Sequence, residues 1–317
     1  MTISGTSTFT ETRDQIISDT LQLIGVLAAG ETVSSADLAF CASALNKMVK
    51  SLVAQGIHLW TTETGTIFLI NGQNQYNLQA GSGGTPASDG TGTPVETTLV
   101  SGSGTSIVVI NGTGMSPSDT IGVCLTNNTI QWTTITTVSG NTIGLTTGLT
   151  SLASAGNAVY SYTTQLPRVV NIHHARLRNN YGFDRMMEIY PRNDYMSIPQ
   201  KALSGDPIIL YYSPQVSQGQ VYVWPTPYNV NSRIEITYTR TLDDFDTGTD
   251  SPDFPQEWLE PLTYNLAVRV APAYGINLSS GGITGNPDIL VQAKQYLLDM
   301  KAWDSEEPFI KIIPKWR

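Results

Sequence analysis

The segment TGTIFLINGQNQYNLQ, residues 64–79, decides the fold class, because the apolar pattern of the chain changes there to that of β-strands. Threonine, isoleucine, phenylalanine and tyrosine fit the pleated surface of a strand. The dipeptide Asn71-Gly72 favours the two-residue turn of a hairpin. The segment therefore predicts a β-hairpin that turns at Asn71 and Gly72.

Two amphipathic helices are predicted before this segment. Residues 12–25 repeat apolar side chains at helical spacing, and Thr12 with Gln15 fits a capping box. A second helix begins at Ser34 or Ser35. Its apolar face consists of Leu38, Cys41, Ala42, Leu45, Met48, Val49 and Leu52. The two helices cannot bury both faces against each other alone, so further packing partners are expected.

Short strand-like runs follow the opening segment. Residues 80–95 are rich in Gly, Ser, Thr and Pro, which is typical of a linker or loop. Runs separated by Asn-Gly and Gly-Asn turns then predict a small all-β module at 96–163, inserted within a larger unit. Aromatic and β-branched residues recur after it, so residues 61–95 with 164–250 are expected to form a β-sheet platform.

Two further helices are predicted near the end of the chain. One begins near Asp253 to Pro255, and its apolar stripe consists of Trp258, Leu262, Leu266 and Val270. The other covers residues 287–303, with Ile289, Ala293, Tyr296, Leu297 and Met300 facing inward. The simplest burial scheme packs all four helices together. The predicted fold class is therefore α+β, with residues 1–60 and 251–304 forming a four-helix bundle.

The last residues, 305–317, predict an extended arm. Pro308 and Pro314 prevent a regular helix across this apolar stretch. Five apolar side chains are costly to leave in water and would each gain about 1.5–3 kcal/mol on burial. They are Phe309, Ile310, Ile312, Ile313 and Trp316. The arm is expected to lie on its own domain, on a neighbouring copy or on another protein.

Composition narrows the classes of function. The net charge is −9 and charged residues make up 14% of the chain, against roughly 25% in a typical domain. Such a chain does not fit a protein that clamps nucleic-acid phosphates with Lys and Arg. No disulfide framework, signal peptide or membrane span is expected, because the chain has two cysteines, its first residues lack a basic and an apolar region, and apolar runs such as 67–70 are far too short.

Two groups of residues were considered as ion sites. His173 and His174 are adjacent in a predicted strand and should point to opposite faces, so they are not expected to share a metal. The acidic loop at 243–253 offers carboxylates to calcium, but its glycine does not follow the calcium-hand spacing. We expect a solvated loop whose last carboxylates complement the start of a helix, and an ion there remains the alternative.

Two other groups were considered as sugar-directed sites. Glu257 and Glu260 lie three residues apart on a helix, and paired carboxylates held several ångströms apart can act as a peptidoglycan hydrolase, but no cleft signature accompanies them. Trp132, Tyr160 and Tyr162 in the inserted module would stack on sugars in a tail-associated carbohydrate-binding protein. The alternative for these aromatic residues is burial in the strand core. The chain contains no motif of a serine hydrolase, P-loop or dinucleotide site, so no enzyme, cofactor or metal is expected.

Several strings resemble the head-to-tail adaptor proteins of short-tailed bacteriophages, also described as connectors, head-completion or tail accessory proteins. They include TRDQIISDTLQLIGVLAAGE, LNKM at 45–48, GIHLW at 56–60, VYVWPTP and DDFDTGTDSPDFPQEWLEPLTYNLAVRVAPAYG. The resemblance extends over residues 11–308. It implies a non-enzymatic structural protein of the virion, made in the host cytoplasm and located at the head–tail junction.

The resemblance also implies partners. In this family the subunits form a ring of twelve under the portal, and the C-terminal tail reaches onto the portal. Carried over here, Phe309, Ile310, Ile312, Ile313 and Trp316 are expected to anchor the arm to the portal protein. The β platform would receive the tail or nozzle protein. DNA would pass through the ring without sequence-specific binding, and no membrane is involved.

Overall fold

The computed structural model describes residues 9–54, 59–78, 95–166, 168–216, 218–278 and 287–303. Within them the chain is mostly β. The helices are α1 (Arg13–Leu23), α2 (Ser35–Ala54), α3 (Arg192–Ser197), α4 (Leu259–Val270) and α5 (Pro287–Trp303). Two compact units are present, one comprising residues 60–241 and the other residues 1–59 with 242–317. We call the second one the helical unit.

A seven-stranded sheet occupies the first unit, in the order β1-β13-β9-β10-β11-β12-β2. Neighbouring strands are antiparallel except for the short parallel pairing of β10 with β11. Its core face is built from side chains that alternate along the strands. The strands are β1 (Thr62–Phe68), β2 (Gln75–Leu78), β9 (Asn171–Arg178), β10 (Asp184–Ile189), β11 (Ile209–Pro214), β12 (Gly219–Trp224) and β13 (Arg233–Thr239).

The predicted hairpin at Asn71-Gly72 is wrong. The chain does turn there, and Gly72 has a left-handed φ of +78°. However, β1 pairs with β13 and β2 pairs with β12, so the two strands lie at opposite ends of the strand order. Strands from far along the chain bury Ile67 and Tyr76 completely. This tertiary pairing overrides the local turn signal.

The same unit contains a closed barrel of six strands, in the order β3-β4-β7-β6-β5-β8. Its interior is filled by aliphatic side chains such as Ile107, Ile121, Val123 and Ile143, which are completely buried. Closure leaves the barrel without edge strands. The strands are β3 (Val95–Ser103), β4 (Ser106–Val109), β5 (Thr120–Cys124), β6 (Ile130–Ser139), β7 (Thr142–Leu145) and β8 (Ala158–Tyr162).

The predicted α+β fold with a four-helix bundle is wrong, because the described chain is mostly β and its few helices are short. Helix α4 is the element that the others contact: α1, α2 and α5 each pack mainly against it. Its predicted stripe from Trp258 to Val270 is buried. Helix α5 buries Ile289 and Ala293, but its second half leaves Leu297 and Met300 half-exposed. The four helices therefore do not enclose one common core.

Candidate functional site

The predicted portal anchor cannot be placed in the fold. Phe309, Ile310, Ile312, Ile313 and Trp316 lie outside the described residues. Helix α5 is the last described element, and it ends at Trp303, which is 56% exposed. Portal binding by the arm therefore stays a prediction.

The acidic loop is docked against the start of helix α1. The Arg13 and Asp14 backbone N–H groups donate to the carbonyl oxygens of Asp250 and Gly248, at 2.8 and 3.3 Å. The Thr12 hydroxyl accepts from the Gln15 N–H, and the Gln15 side chain accepts from the Thr12 N–H, which completes the predicted capping box. The loop thus satisfies backbone donors that a helix start otherwise leaves to solvent.

Carboxylates of this loop accept hydrogen bonds from other groups of the same loop. The Asp250 carboxylate accepts from the Thr247 hydroxyl and from the Thr247 and Asp246 N–H groups, and these hydrogen bonds lower its pKa. Asp253 accepts from the Asp243 N–H. Among the residues that the structure describes, no three His, Cys, Asp or Glu side chains are grouped so as to hold a metal ion.

Helix α2 also contacts this acidic loop, through Lys50 and Asn46. The Lys50 ammonium donates to the Leu242 carbonyl at 2.9 Å and forms an ion pair with Asp244 at 2.8 Å. One turn earlier, the Asn46 side chain contacts the backbone of Phe245. Phe245 itself is 4% exposed. The acidic loop is therefore a fixed part of the helical unit.

A β-bulge in β9 changes the predicted geometry of the histidine pair. His174 is paired with Thr237 and Ile172 with Tyr238, so His173 is the extra residue between them. Both histidines are exposed, whereas Ile172 and Ala175 on either side are buried. His173 Nε2 lies 2.6 Å from the Thr239 hydroxyl. Both imidazoles therefore lie on the face of Thr237 and Thr239, and the expectation of opposite faces is wrong.

A cavity of about 320 Å³ opens on this face of the sheet. Hydroxyl groups, an imidazole, a thioether and one ion pair line it. The lining residues are Thr64, His174, Ala175, Arg176, Met186, Glu235 and Thr237. Neither Glu257 nor Glu260, the pair considered for hydrolysis, is among them. Glu260 instead accepts from the Tyr296 hydroxyl at 3.0 Å on the surface of the helical unit.

An ion network borders the cavity and centres on Glu235, which is 6% exposed. Its carboxylate accepts from Arg176 at 2.8 Å, from Arg178 at 2.7 Å and from Arg233 at 3.0 Å. Arg233 also pairs with Glu96 of the barrel strand β3. Burial lowers the pKa of the Arg233 guanidinium from its ordinary value. The network therefore joins two strands of the sheet, β9 and β13, to the barrel.

The turn between β9 and β10 carries the most exposed aromatic side chains of this sheet. Tyr181 is 80% exposed and Phe183 is 75% exposed. The Asn179 side chain accepts from the backbone N–H of both residues at 3.0 Å, and Gly182 between them has a left-handed φ of +81°. We call residues 179–183 the hairpin tip.

The base of this hairpin is clamped by charge. The Arg178 guanidinium donates twice to the Asp184 carboxylate, at 2.5 and 2.6 Å. The hydrogen bond from Arg178 lowers the pKa of Asp184, and the charges of Arg178 and Arg176 lower it further. These bonds hold both ends of the turn and the backbone of its two aromatic residues. Sequence reasoning did not single out this tip, because nothing in the local sequence shows that its two aromatic rings stay exposed.

The aromatic residues considered for sugar binding pack among themselves. Trp132 lies 5.2 Å from Phe68 and 5.6 Å from Tyr162, between ring centroids. Tyr160 is completely buried and Tyr162 is 7% exposed. The Trp132 ring also covers Gly122, where any side chain would collide with it. Tyr160 and Tyr162 therefore belong to a packed core, the alternative that the sequence left open, and Trp132 packs against it while staying partly exposed.

The described helices include none that is long and apolar enough to cross a membrane. In a comparison with protein families, the family described as SU10 adaptor protein matches residues 125–297, which is more than half of the chain. Comparison with curated proteins finds no relative.

Proposed function

Because the chain belongs to the SU10 adaptor protein family, we propose that it forms a ring beneath the portal of a short-tailed bacteriophage, as the head-to-tail adaptor. The family match over residues 125–297 is the observation that carries the proposal. The matched range includes the β9–β10 hairpin and helix α4, so it takes in parts of both compact units. Membership of this family implies a structural role at the head–tail junction.

The arm at 305–317 is proposed to join the portal. Its apolar residues Phe309, Ile310, Ile312, Ile313 and Trp316 alternate with three basic residues near the end of the chain. Extended apolar segments bind by adding a strand to a sheet edge or by filling grooves. A peptide of this composition suits a groove on a large, preformed ring.

The seven-stranded sheet is proposed to receive the tail or nozzle protein. Its outer face offers the cavity beside His174 and the ion network around Glu235. Fixed polar groups of this kind set orientation and specificity in protein contacts more than they add affinity.

DNA is proposed to pass through the ring along acidic or neutral side chains. The sequence contains no Lys or Arg between residues 51 and 167, and the whole chain has a net charge of −9. Such surfaces do not displace the counterions of DNA, so they do not retain it. A channel lined with Lys and Arg in an assembled ring would contradict this part of the proposal.

Co-sedimentation with purified portal rings tests the adaptor role. The chain should sediment with the rings in many copies and should remain in the supernatant without them. An equal amount in the pellet with and without portal rings would contradict the proposal. Glycan binding or lysis of peptidoglycan, measured on the same preparation, should be absent, since the aromatic residues of the barrel are packed.

A further inference from the structure

The cavity beside His174 is built from two neighbouring rows of side chains that cross the sheet. In the first row, Thr64 of β1 lies opposite Thr237 of β13, and Thr237 lies opposite His174 of β9. In the second row, Glu235 of β13 lies opposite Arg176 of β9. Residues directly opposite each other are neighbours on one face of a sheet. Polar groups from three strands therefore meet in one space of about 320 Å³.

The polar groups of the first row have unused hydrogen-bonding capacity. Within the part of the chain that the structure describes, the hydroxyls of Thr64 and Thr237 and the imidazole of His174 form no hydrogen bond with the protein. Thr64 and His174 are exposed, and Thr237 is half-buried. By contrast, His173 and Thr239, on the same strands but outside the cavity, are paired with each other. The cavity thus contains groups that are ready to bind a ligand.

Arg176 adds donors whose position is fixed. Its Nε and Nη2 atoms lie 2.8 and 2.5 Å from the carboxylate of Glu235. Among the described residues its Nη1 has no hydrogen-bond or ion-pair partner, and the side chain is 42% exposed. Glu235 is taken up by Arg176, Arg178 and Arg233 and is buried, so it offers little to a ligand. The guanidinium that lines the cavity therefore has donors left at Nη1.

The charges next to the cavity are balanced. The ion network contains three guanidinium groups and three carboxylates, which belong to Arg176, Arg178, Arg233, Asp184, Glu235 and Glu96. It therefore lacks the excess of positive charge with which proteins hold the phosphates of DNA. What the cavity offers is hydrogen bonding, with a guanidinium edge as its strict donor.

A carboxylate is the side-chain group that fits such donors. It has two acceptor oxygens and no donor, whereas a side-chain amide would bring its NH₂ group against one of the donors. Hydrogen bonds between a guanidinium and a carboxylate are charge-assisted and are about twice as strong as neutral ones. The volume of about 320 Å³ is at the small end of ligand sites, which suits one side chain.

We propose that this cavity binds the carboxylate of an aspartate or glutamate side chain of the tail or nozzle protein. The inference rests on the proposed function, in which the sheet receives that protein. The carboxylate accepts from Arg176 Nη1 and from the hydroxyls of Thr64 and Thr237, and His174 flanks it. Met186, which lines the cavity and is 66% exposed, contacts the methylene groups of the same side chain.

Removal of the two hydroxyls tests the site. Thr64→Val with Thr237→Val removes the donors and keeps residues that favour strands. The dissociation constant of the cognate tail or nozzle protein, measured on preassembled rings of portal and adaptor, should rise about tenfold or more. The control Thr62→Val with Thr239→Val changes the same residue types on the same two strands, outside the cavity. It should bind within about twofold of the wild type.

Substitution of Arg176 tests the guanidinium edge. Arg176→Lys keeps a positive charge beside Glu235 but loses the planar fork, so binding of the tail protein should weaken by a similar factor. Arg185→Lys, on the neighbouring strand β10 and outside the cavity, is the control and should bind like the wild type. Every variant should join portal rings in as many copies as the wild type, which shows that its fold is intact.

The acidic residue is identified on the partner. Each Asp or Glu of the tail protein is changed in turn to Asn or Gln. One such substitution should weaken binding to the wild-type ring about tenfold, and should cause no further loss on the ring of the double threonine variant, because both changes remove the same contact. A tail protein in which no substitution shows this coupling would overturn the carboxylate assignment.

The outcomes separate the two proposals. A wild type that adds no copies to portal rings overturns the adaptor role and this inference together. A wild type that joins the portal, with a double threonine variant that binds the tail protein as tightly as its control, overturns the cavity site alone. Acetate or inorganic phosphate that binds at the cavity of the full chain, with equal binding of the tail protein by all variants, shows a site for a free anion and also overturns it.

Discussion

The side-chain amide of Asn46 pairs with both backbone groups of Phe245. Oδ1 accepts from the Phe245 N–H at 3.0 Å, and Nδ2 donates to the Phe245 carbonyl at 3.1 Å. Asn46 belongs to helix α2 and Phe245 to the acidic loop, 199 residues further along the chain. The strings LNKM and DDFDTGTDSPDF, which both carry the resemblance to phage adaptors, are therefore in direct contact.

Substitution of Asn46 tests this pairing. Asn46→Ala leaves the partly buried N–H and carbonyl of Phe245 without their partner, so the free energy of unfolding should fall by about 2 kcal/mol. Urea unfolding followed by circular dichroism measures it. The neighbouring Lys47→Ala alters an exposed side chain on the same helix and should change stability by less than about 0.5 kcal/mol. Equal effects of the two substitutions would contradict the role of Asn46.

Substitution of Glu235 tests the ion network. Glu235→Gln removes the charge that three guanidinium groups share and leaves Arg233, 6% exposed, without its main counter-charge. The free energy of unfolding should fall by about 3 kcal/mol. Glu188→Gln, at an exposed position of strand β10 in the same sheet, is the matched control and should be nearly neutral. A neutral Glu235→Gln would show that the network does not stabilise the sheet.

The clamp at the base of the hairpin predicts a pH dependence. Hydrogen bonding from Arg178 lowers the pKa of Asp184 below its ordinary value of 3.8. Its stabilising contribution is therefore complete above pH 3.8 and is lost as the pH falls through the folded-state pKa. The wild type should exceed Asp184→Asn in stability by about 1 kcal/mol at neutral pH, because the pair is partly exposed.

Urea unfolding of wild type and Asp184→Asn, compared at neutral pH and in acidic steps below 3.8, measures this dependence. The difference between the two proteins should shrink at the acidic steps. A difference that grows on acidification would contradict the assigned direction of the pKa.

Removal of the arm tests whether it binds the portal or packs on its own subunit. A chain that lacks residues 305–317 should keep the circular dichroism spectrum and melting temperature of the full chain, and should no longer bind portal rings. The variant Asp304→Asn with the arm intact serves as the control for changes at the end of helix α5. Loss of the fold on truncation would show that the arm packs on its own subunit instead.

Helical segments were the part of the fold that local patterns predicted well. The capping box of Thr12 and Gln15 is present, and the apolar stripe from Trp258 to Val270 is buried, because both depend on residues within one or two turns. The association of the helices was not predictable in this way. Four apolar stripes suggested a common core, but α4 alone serves as the shared partner, and Tyr296, Leu297 and Met300 of α5 are only partly buried.

The strand pairing and the exposed surfaces could not be predicted from local sequence, because both depend on residues that are far apart along the chain. The Asn71-Gly72 turn forms, yet β1 pairs with β13, which lies far along the chain. The bulge at His173 arises from the pairing of β9 with β13, so no reading of β9 alone would place both imidazoles on one face. The hairpin tip likewise became visible only through the exposure of Tyr181 and Phe183.

The measurement that tests the adaptor role most directly is the native mass of the purified chain, alone and after mixing with rings of the cognate portal protein. Mass photometry resolves both species in one experiment. We predict a free species near the chain mass of 34.3 kDa and a portal ring that gains many such increments. A portal ring whose mass is unchanged by excess chain would contradict the adaptor role.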